Sequence, residues 1–452
     1  METRGGKLGR RQFLGSVGVG AAAFTIVPRH VLGGPGVKAP SDKINIAGIG
    51  VGGRGGHDIN AVGGENIVAL CDVDERRAAG SFKKFSKAKR FKDFRKMLDA
   101  VHKDIDAVVV GTPDHTHAVI CQAAMTRGKH VYCEKPLAHS VAEIRALQKT
   151  ARDAKVITQL GNQGHSSSRI RSLCEWVWDG AIGQVKEVHA ACAAFGGKYS
   201  AVKDLPRLKE KHDIPKGLDW DLWVGPVPMR PYSPMYVPAW WRAWLPFGTG
   251  CIGDWICHVV DPAFWALDLG APTSVRADVK DYDPKKHALV YPPATRVTYE
   301  FPAKGKRGPV TLYWYDGKWK IPHPDCLETG RKVPGTGAIL VGEKGGISHG
   351  SHGAGGARII PDKLMRDYKQ PGQKIPRVRG HHADWLDAIR KGTQAGSNFA
   401  YGGPLTELAL LGVIAVHFAG QKLQWDAEGM KFTNCAEANA YVDPPYRKGW
   451  TL

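Results

Sequence analysis

Acidic residues are scarce in this 452-residue chain: 43 Asp and Glu face 63 Lys and Arg, a formal charge of +20 at pH 7. The first 32 residues carry Arg4, Lys7, Arg10, Arg11 and Arg29 against Glu2, so the remainder still stands at +16. That excess suits acidic saccharides or cell-envelope polymers as partners. Its densest part, 83–96, is broken by Phe82, Phe85, Phe91 and Phe94. It reads as the solvated face of a surface helix with apolar anchors, which explains it better than nucleic-acid binding; no nucleic-acid partner is expected.

Paired cysteines are also missing. The nine cysteines include no C-x-x-C and are odd in number, which argues against a zinc site or a disulfide framework and leaves small buried hydrophobes. No internal repeat is present, and no apolar run after residue 32 is read as long enough to cross a bilayer. With 43% hydrophobic and 23% charged residues the chain is not mainly disordered, and its length calls for two cores.

What stands out is the segment 44–55. Gly50, Gly52 and Gly55 fit G-x-G-x-x-G directly after an apolar, strand-like run. The first glycine allows a tight turn at positive φ, the second lets a pyrophosphate approach the backbone, and the third lets the next helix pack on the strand. A second apolar run, 67–70, ends at Cys71 and Asp72, 22 residues beyond Gly50. A carboxylate there accepts hydrogen bonds from a ribose diol and repels a 2′-phosphate. Asp72 therefore favours NAD over NADP, with Arg76 and Arg77 nearby as the opposing signal.

Ahead of this unit, Arg10 and Arg11 precede a Gly/Ala/Val stretch to Val27, the pattern of a twin-arginine export signal. The reading is a signal and linker at 1–40, a dinucleotide-binding domain at 41–165 and a second domain at 166–452. Export by the Tat machinery to the periplasm leaves no free nicotinamide pool, so the cofactor would travel tightly bound. No membrane span is expected in the mature chain.

Strands at 43–49, 66–70, 107–110, 130–133 and 156–160 alternate with helical segments, as in a doubly wound parallel sheet. Ser140 and Glu143 form a capping-box pattern ahead of a helix whose Val141, Ile144, Leu147 and Ala151 share one face. Strands at 184–190, 275–280, 296–301 and 310–315 follow without long helices between most of them, which reads as a mainly antiparallel sheet in an α+β domain. Residues 345–356, rich in glycine with His349 and His352, read as a flexible loop and not a metal site; no metal is expected.

Asp254 and His258 stand four apart and share one helix face. Such a pair binds a hydroxyl and moves its proton. Taken alone it is better described as a capping aspartate and a core histidine. Lys135, on a Lys-Pro turn, is either a surface charge or, at the sheet's carboxyl edge, a cation beside a nicotinamide.

Four ordered segments, Gly50 to Gly55, Thr112 to His117, Glu134 to Pro136, and Gly248 to His258, resemble those of the Gfo/Idh/MocA family of NAD(P)-dependent sugar and polyol oxidoreductases. The resemblance runs from about residue 41 to the end, in an exported branch. It implies that Gly53 and Arg54 lie under the dinucleotide and that Thr112, Pro113, His117, Glu134, Lys135 and Asn162 line its nicotinamide half. Lys135, Asp254 and His258 become the catalytic group: His258 the acid/base, Asp254 its orienting partner or a substrate ligand, Lys135 the polarising cation. The C-terminal domain is then an open, mainly antiparallel sheet, commonly forming homodimers or homotetramers.

Seven of the 14 tryptophans fall between Trp220 and Trp265, and aromatic faces suit sugar C–H faces. Tyr236, Trp241 and Arg242 are the candidate substrate contacts. Three functions remain open. The first is hydride transfer from a sugar, polyol or glycoside hydroxyl. The second is an NAD-dependent glycosidase using transient oxidation and elimination. The third is a non-catalytic NAD sensor.

Overall fold

The apolar run before the glycine turn forms strand β1 (Asn45–Ile49), buried over its last four residues because sheet neighbours flank it and helices cover both faces. The computed structural model describes residues 42–193 and 198–452. The export signal falls outside the described residues. With β2 (Asn66–Cys71), β3 (Lys89–Phe91), β4 (Ala107–Val110), β5 (His130–Cys133) and β6 (Thr158–Leu160), β1 makes a six-stranded sheet in the order 3-2-1-4-5-6. Every pairing is parallel. The order reverses between β1 and β4, and the crevice outside their carboxyl ends is where such sheets take ligands.

The capping box is present: Ser140 Oγ accepts from Glu143 N and the Glu143 carboxylate accepts from Ser140 N, opening helix Val141–Asp153. Val141, Ile144 and Leu147 are buried on its inner face, and Ala151 is partly buried against the same core.

Nine further strands build the second sheet: β7 (Val185–Cys192), β8 (Ser274–Lys280), β9 (Ala294–Phe301), β10 (Val310–Asp316), β11 (Thr336–Gly342), β12 (Gly346–Gly350), β13 (Arg358–Ile360), β14 (Lys422–Asp426) and β15 (Lys431–Phe432). Their order is 13-12-11-7-10-9-8-14-15. Among the described residues only the central β7–β10 pair of this sheet is parallel. Residues of both sheets and of the helices between them share one core, so 44–452 forms a single compact unit.

Three readings need correction. Residues 345–356 are not a loop: β12 pairs with β11 and β13, and the chain then makes a tight turn at Ser351–Ala354. Glycines masked this strand, yet one of them is what admits it, since a Cβ on Gly346 would lie 2.7 Å from Leu340 O across the pair with β11. The basic run 83–96 is not one helix; it ends helix Glu75–Lys84, forms edge strand β3, and opens helix Phe94–Val101, which Asp93 caps. Finally, helix Phe399–His417 is long and apolar enough to cross a membrane by length and composition, but 83% of its apolar stretch is buried inside the protein. It is the central core helix between the sheets. All nine cysteines are free and seven are buried.

Candidate active site

Backbone geometry shapes the crevice first. Gly50 turns off β1 at φ +72°, where a Cβ would come within 2.6 Å of Thr112 Cγ2. A Cβ on Gly55 would lie 1.8 Å from Gly50 O, so helix Gly53–Ala61 rests directly on the turn. Gly52 faces Arg77, and Gly53 has φ +51°. Asp72 closes the turn from β2: its carboxylate accepts from Val51 N (2.9 Å), Gly52 N (3.2 Å) and Asp74 N (2.9 Å). Burial nonetheless pushes it up, to about 6. The sequence reading offered Asp72 to a ribose; the structure occupies part of its acceptor capacity with the protein's own backbone.

A cavity of about 130 Å³ runs along this turn, lined by Gly50, Gly52, Asp72, Arg77, Thr112 and Pro113 among others. A second, of about 320 Å³, shares Gly52, Gly111, Thr112, Pro113 and Pro238 with it and continues toward the second sheet. Thr112 Oγ1 is buried between them without a partner. An unfilled polar atom, a glycine cradle and a closing carboxylate fit a dinucleotide.

The second cavity gathers Arg54, Glu134, Lys135, Trp241, Arg242, Asp254 and His258. Glu134 accepts from Arg54 Nε (3.1 Å) and Gln163 Nε2 (2.6 Å). Burial and the nearby Asp58 carboxylate raise it to about 8 against the pull of Arg54. Lys135 Nζ donates to the Asp254 carboxylate and, at 2.9 Å, to the Asp254 carbonyl. Tyr199 OH donates to the other carboxylate oxygen, and Arg242 Nε lies 3.4 Å from the first. Burial would raise the Asp254 carboxyl, but Lys135 and Arg242 outweigh it and hold the group well below the usual carboxylate range.

His258 sits one turn along helix Gly250–Val259, 6% exposed. Among the described residues its buried Nδ1 has no partner. Burial first, then the Lys135 and His352 charges, push the imidazole well below 6.5, so it is neutral at pH 7. The Asp254 carboxylate is thus bonded to Lys135 and Tyr199 with Arg242 beside it, and among the described residues no hydrogen bond joins it to His258, the ring it was expected to orient.

Other expected residues lie elsewhere. His117 is buried behind the cavity, its ring nitrogens each 2.8 Å from the carbonyls of Pro136 and Thr112, where it joins the two turns. Asn162 is fully buried, donating to Asp261 and accepting from Ser397. Tyr236 packs among Trp220, Trp244 and Phe247 at 4% exposure, outside the lining. Trp241 and Arg242 do line the cavity, the guanidinium 4.1 Å over the indole.

Sequence reasoning missed Tyr199, Trp255 and His352. Tyr199 stands in no motif, and the glycine-rich setting of His352 suggested a loop. Asp114, read only as part of a motif, accepts from Thr249 Oγ1 at 2.8 Å and ties the β4 turn to the start of the His258 helix. Among the described residues no cluster of three or more His, Cys, Asp or Glu suits a metal ion.

Two regions of the chain match profiles of one family: residues 43–162 the oxidoreductase family's NAD-binding Rossmann fold, and 168–305 its C-terminal alpha/beta domain. The chain belongs to the Gfo/Idh/MocA oxidoreductase family. It is 30% identical over 157 residues to the inositol 2-dehydrogenase of Salmonella paratyphi B, covering 34% of this chain and 44% of that protein. To the levoglucosan dehydrogenase of Pseudarthrobacter phenanthrenivorans it is 25% identical over 217 residues, 48% of this chain and 46% of the other. The chain thus spans under half the length of these curated relatives. The fold is similar to that of the WlbA dehydrogenase from Bordetella pertussis, solved with NADH and UDP-GlcNAcA. That match has a TM-score of 0.57 at 15% identity, over 85% of this chain and 99% of that one.

Gly55→Ala tests the cradle. The added methyl forces the helix off the turn, with an expected loss of about 1–3 kcal/mol. NAD should raise the melting temperature of the wild type but not of this variant.

Proposed function

We propose that this family member is an NAD-dependent oxidoreductase acting on a sugar or polyol hydroxyl. The observation that carries it is the meeting of Lys135, Asp254 and His258 in one cavity that adjoins the glycine cradle. Gly50, Gly52, Gly53, Arg54, Asp72, Thr112, Pro113 and Glu134 would hold the dinucleotide. Bound there, nicotinamide supplies the hydride acceptor.

The chain's own groups do the rest. His258, neutral and lining the cavity, takes the hydroxyl proton. Lys135, fixed by Asp254, stabilises the oxygen as negative charge develops. Trp241 offers an apolar face and Arg242 a donor to the ring and its hydroxyls. The names of the relatives, inositol and levoglucosan dehydrogenases, supply the substrate class. Export through the twin-arginine pathway, tight retention of NAD and assembly as a homo-oligomer belong to the same reading.

Purified protein given NAD with myo-inositol, levoglucosan and a panel of aldoses should accumulate NADH. Aryl glycosides without added cofactor provide the contrast: aglycone release with no net NADH would replace this reading by the glycosidase. Inactivity on both sets would leave a sensor. Acid extraction of the freshly purified protein should release NAD.

A further inference from the structure

The turn after β12 carries a run of left-handed backbone: His352 at φ 53° and ψ 61°, Gly353 at φ 86°, Ala354 at φ 59°. Two of these are not glycine, and such residues cost about 1–3 kcal/mol each unless their surroundings hold them. Close packing holds them here. A Cβ on Gly164 would lie 2.2 Å from Gly353 N, and Ser167 Oγ donates to Gly353 O at 3.0 Å.

The result is the placement of one ring. His352 stacks on His258 with centroids 4.1 Å apart and planes at 24°. Trp255 stands edge-on to both, at 6.0 and 5.5 Å. The two imidazoles differ in access: His258 is enclosed, while His352 is exposed at the cavity wall, its Nδ1 2.9 Å from Ser351 Oγ.

On the oxidoreductase reading, each turnover leaves a proton on His258. It has no path inward, because Nδ1 is sealed without a partner and the Asp254 carboxylate is taken by Lys135, Tyr199 and Arg242. We propose that His352 is the proton outlet of this site, accepting through one water or a neighbouring substrate hydroxyl the proton that His258 removes, and releasing it to solvent. The steps balance: the C–H bond yields hydride to the cofactor, the O–H bond yields its proton to His258, and the carbonyl forms between them. The proton then passes from His258 to His352 to water, with no further oxidant. The charges around the pair drive it outward. Lys135 and Arg54 oppose a charge on both rings and Asp254 favours one, while Arg242, Glu134 and Asp114 line the same cavity. Two adjacent imidazolium rings are disfavoured there, so the proton moves to the ring that reaches solvent.

Two measurements test this. Nitrogen-15 histidine NMR of the full protein should find the His258 midpoint well below 6.5, and His352→Ala should raise that midpoint as the coupled ring is lost. An unchanged His258 titration overturns the proposal. Kinetics with myo-inositol or levoglucosan should give His352→Ala and His352→Phe a kcat at least about tenfold lower, with KM within threefold and imidazole buffer rescuing only the alanine variant. Phenylalanine keeps the stack but carries no proton. A wild-type rate in His352→Phe, or no rescue of His352→Ala, also overturns it. Inactivity of the wild type toward every polyol and sugar rejects the oxidoreductase reading itself, a failure seen before any variant is made.

Discussion

Replacing His258 by Ala is expected to lower kcat by about 10²–10⁴-fold, the usual worth of a positioned general base. NAD binding, followed by its protection against thermal unfolding, should change little, because His258 lines only the cavity beyond the cradle. The wild-type pH profile should carry the signature of the same ring. Burial, Lys135 and His352 hold the imidazole well below 6.5, so the acid limb of kcat/KM should fall below that pH. The limb should vanish in the variant. A variant that retains wild-type kcat, or a wild-type profile breaking at or above 6.5, contradicts the assignment.

Lys135→Met should lose both activity and stability. Removing a donor aimed at developing oxyanion charge costs about 10²–10³ in kcat. The variant also leaves Asp254, 6% exposed, with Tyr199 and a more distant Arg242 as partners. Breaking one arm of a buried ion cluster with others remaining should cost about 2–4 kcal/mol at pH 7. The sign with pH follows from the depressed carboxyl. In the wild type its folded-state pKa lies below the unfolded value of about 3.9, so the cluster's contribution is full above pH 4 and is lost as pH falls through the folded value. Denaturant midpoints of wild type and variant should therefore converge in acid. A gap that stays constant or widens there would show that Lys135 does not hold the charge on Asp254.

Much of the dinucleotide half was legible because its physics is local. Gly50 needs positive φ and Gly55 needs a bare Cα within a few residues of one strand end, and sequence spacing carries both requirements. Strands β4 and β5 read to the residue because short, apolar segments bounded by Gly, Pro or charge admit little else. The second sheet was legible only in part. β11, β13, β14 and β15 went unseen, and β12 was obscured by glycines whose absent side chains are what allow its neighbours to approach.

Site membership obeyed a different logic. Tyr236 and Trp241, in the same aromatic-rich segment, are both buried in one cluster of rings, yet of the two Trp241 alone also lines the cavity; hydrophobicity and spacing treat them alike. Asp254 and His258 share a helix face as their spacing required, yet the carboxylate's partners are Lys135, 119 positions away, and Tyr199, 55 away.

From the chain alone came most strands and helices of the dinucleotide half and the glycine turn with Asp72 beyond it, because these depend on interactions within a turn or two of backbone, which composition and period record. The candidacy of Lys135, Asp254 and His258 as a group came with the family resemblance, which spans distant segments. Folding assigned partners: Lys135 to Asp254, Tyr199 to the same carboxylate, and His352 to the face of His258. Those pairings arise where distant segments pack against one another, and they depend on side-chain direction and excluded volume, which no linear pattern encodes.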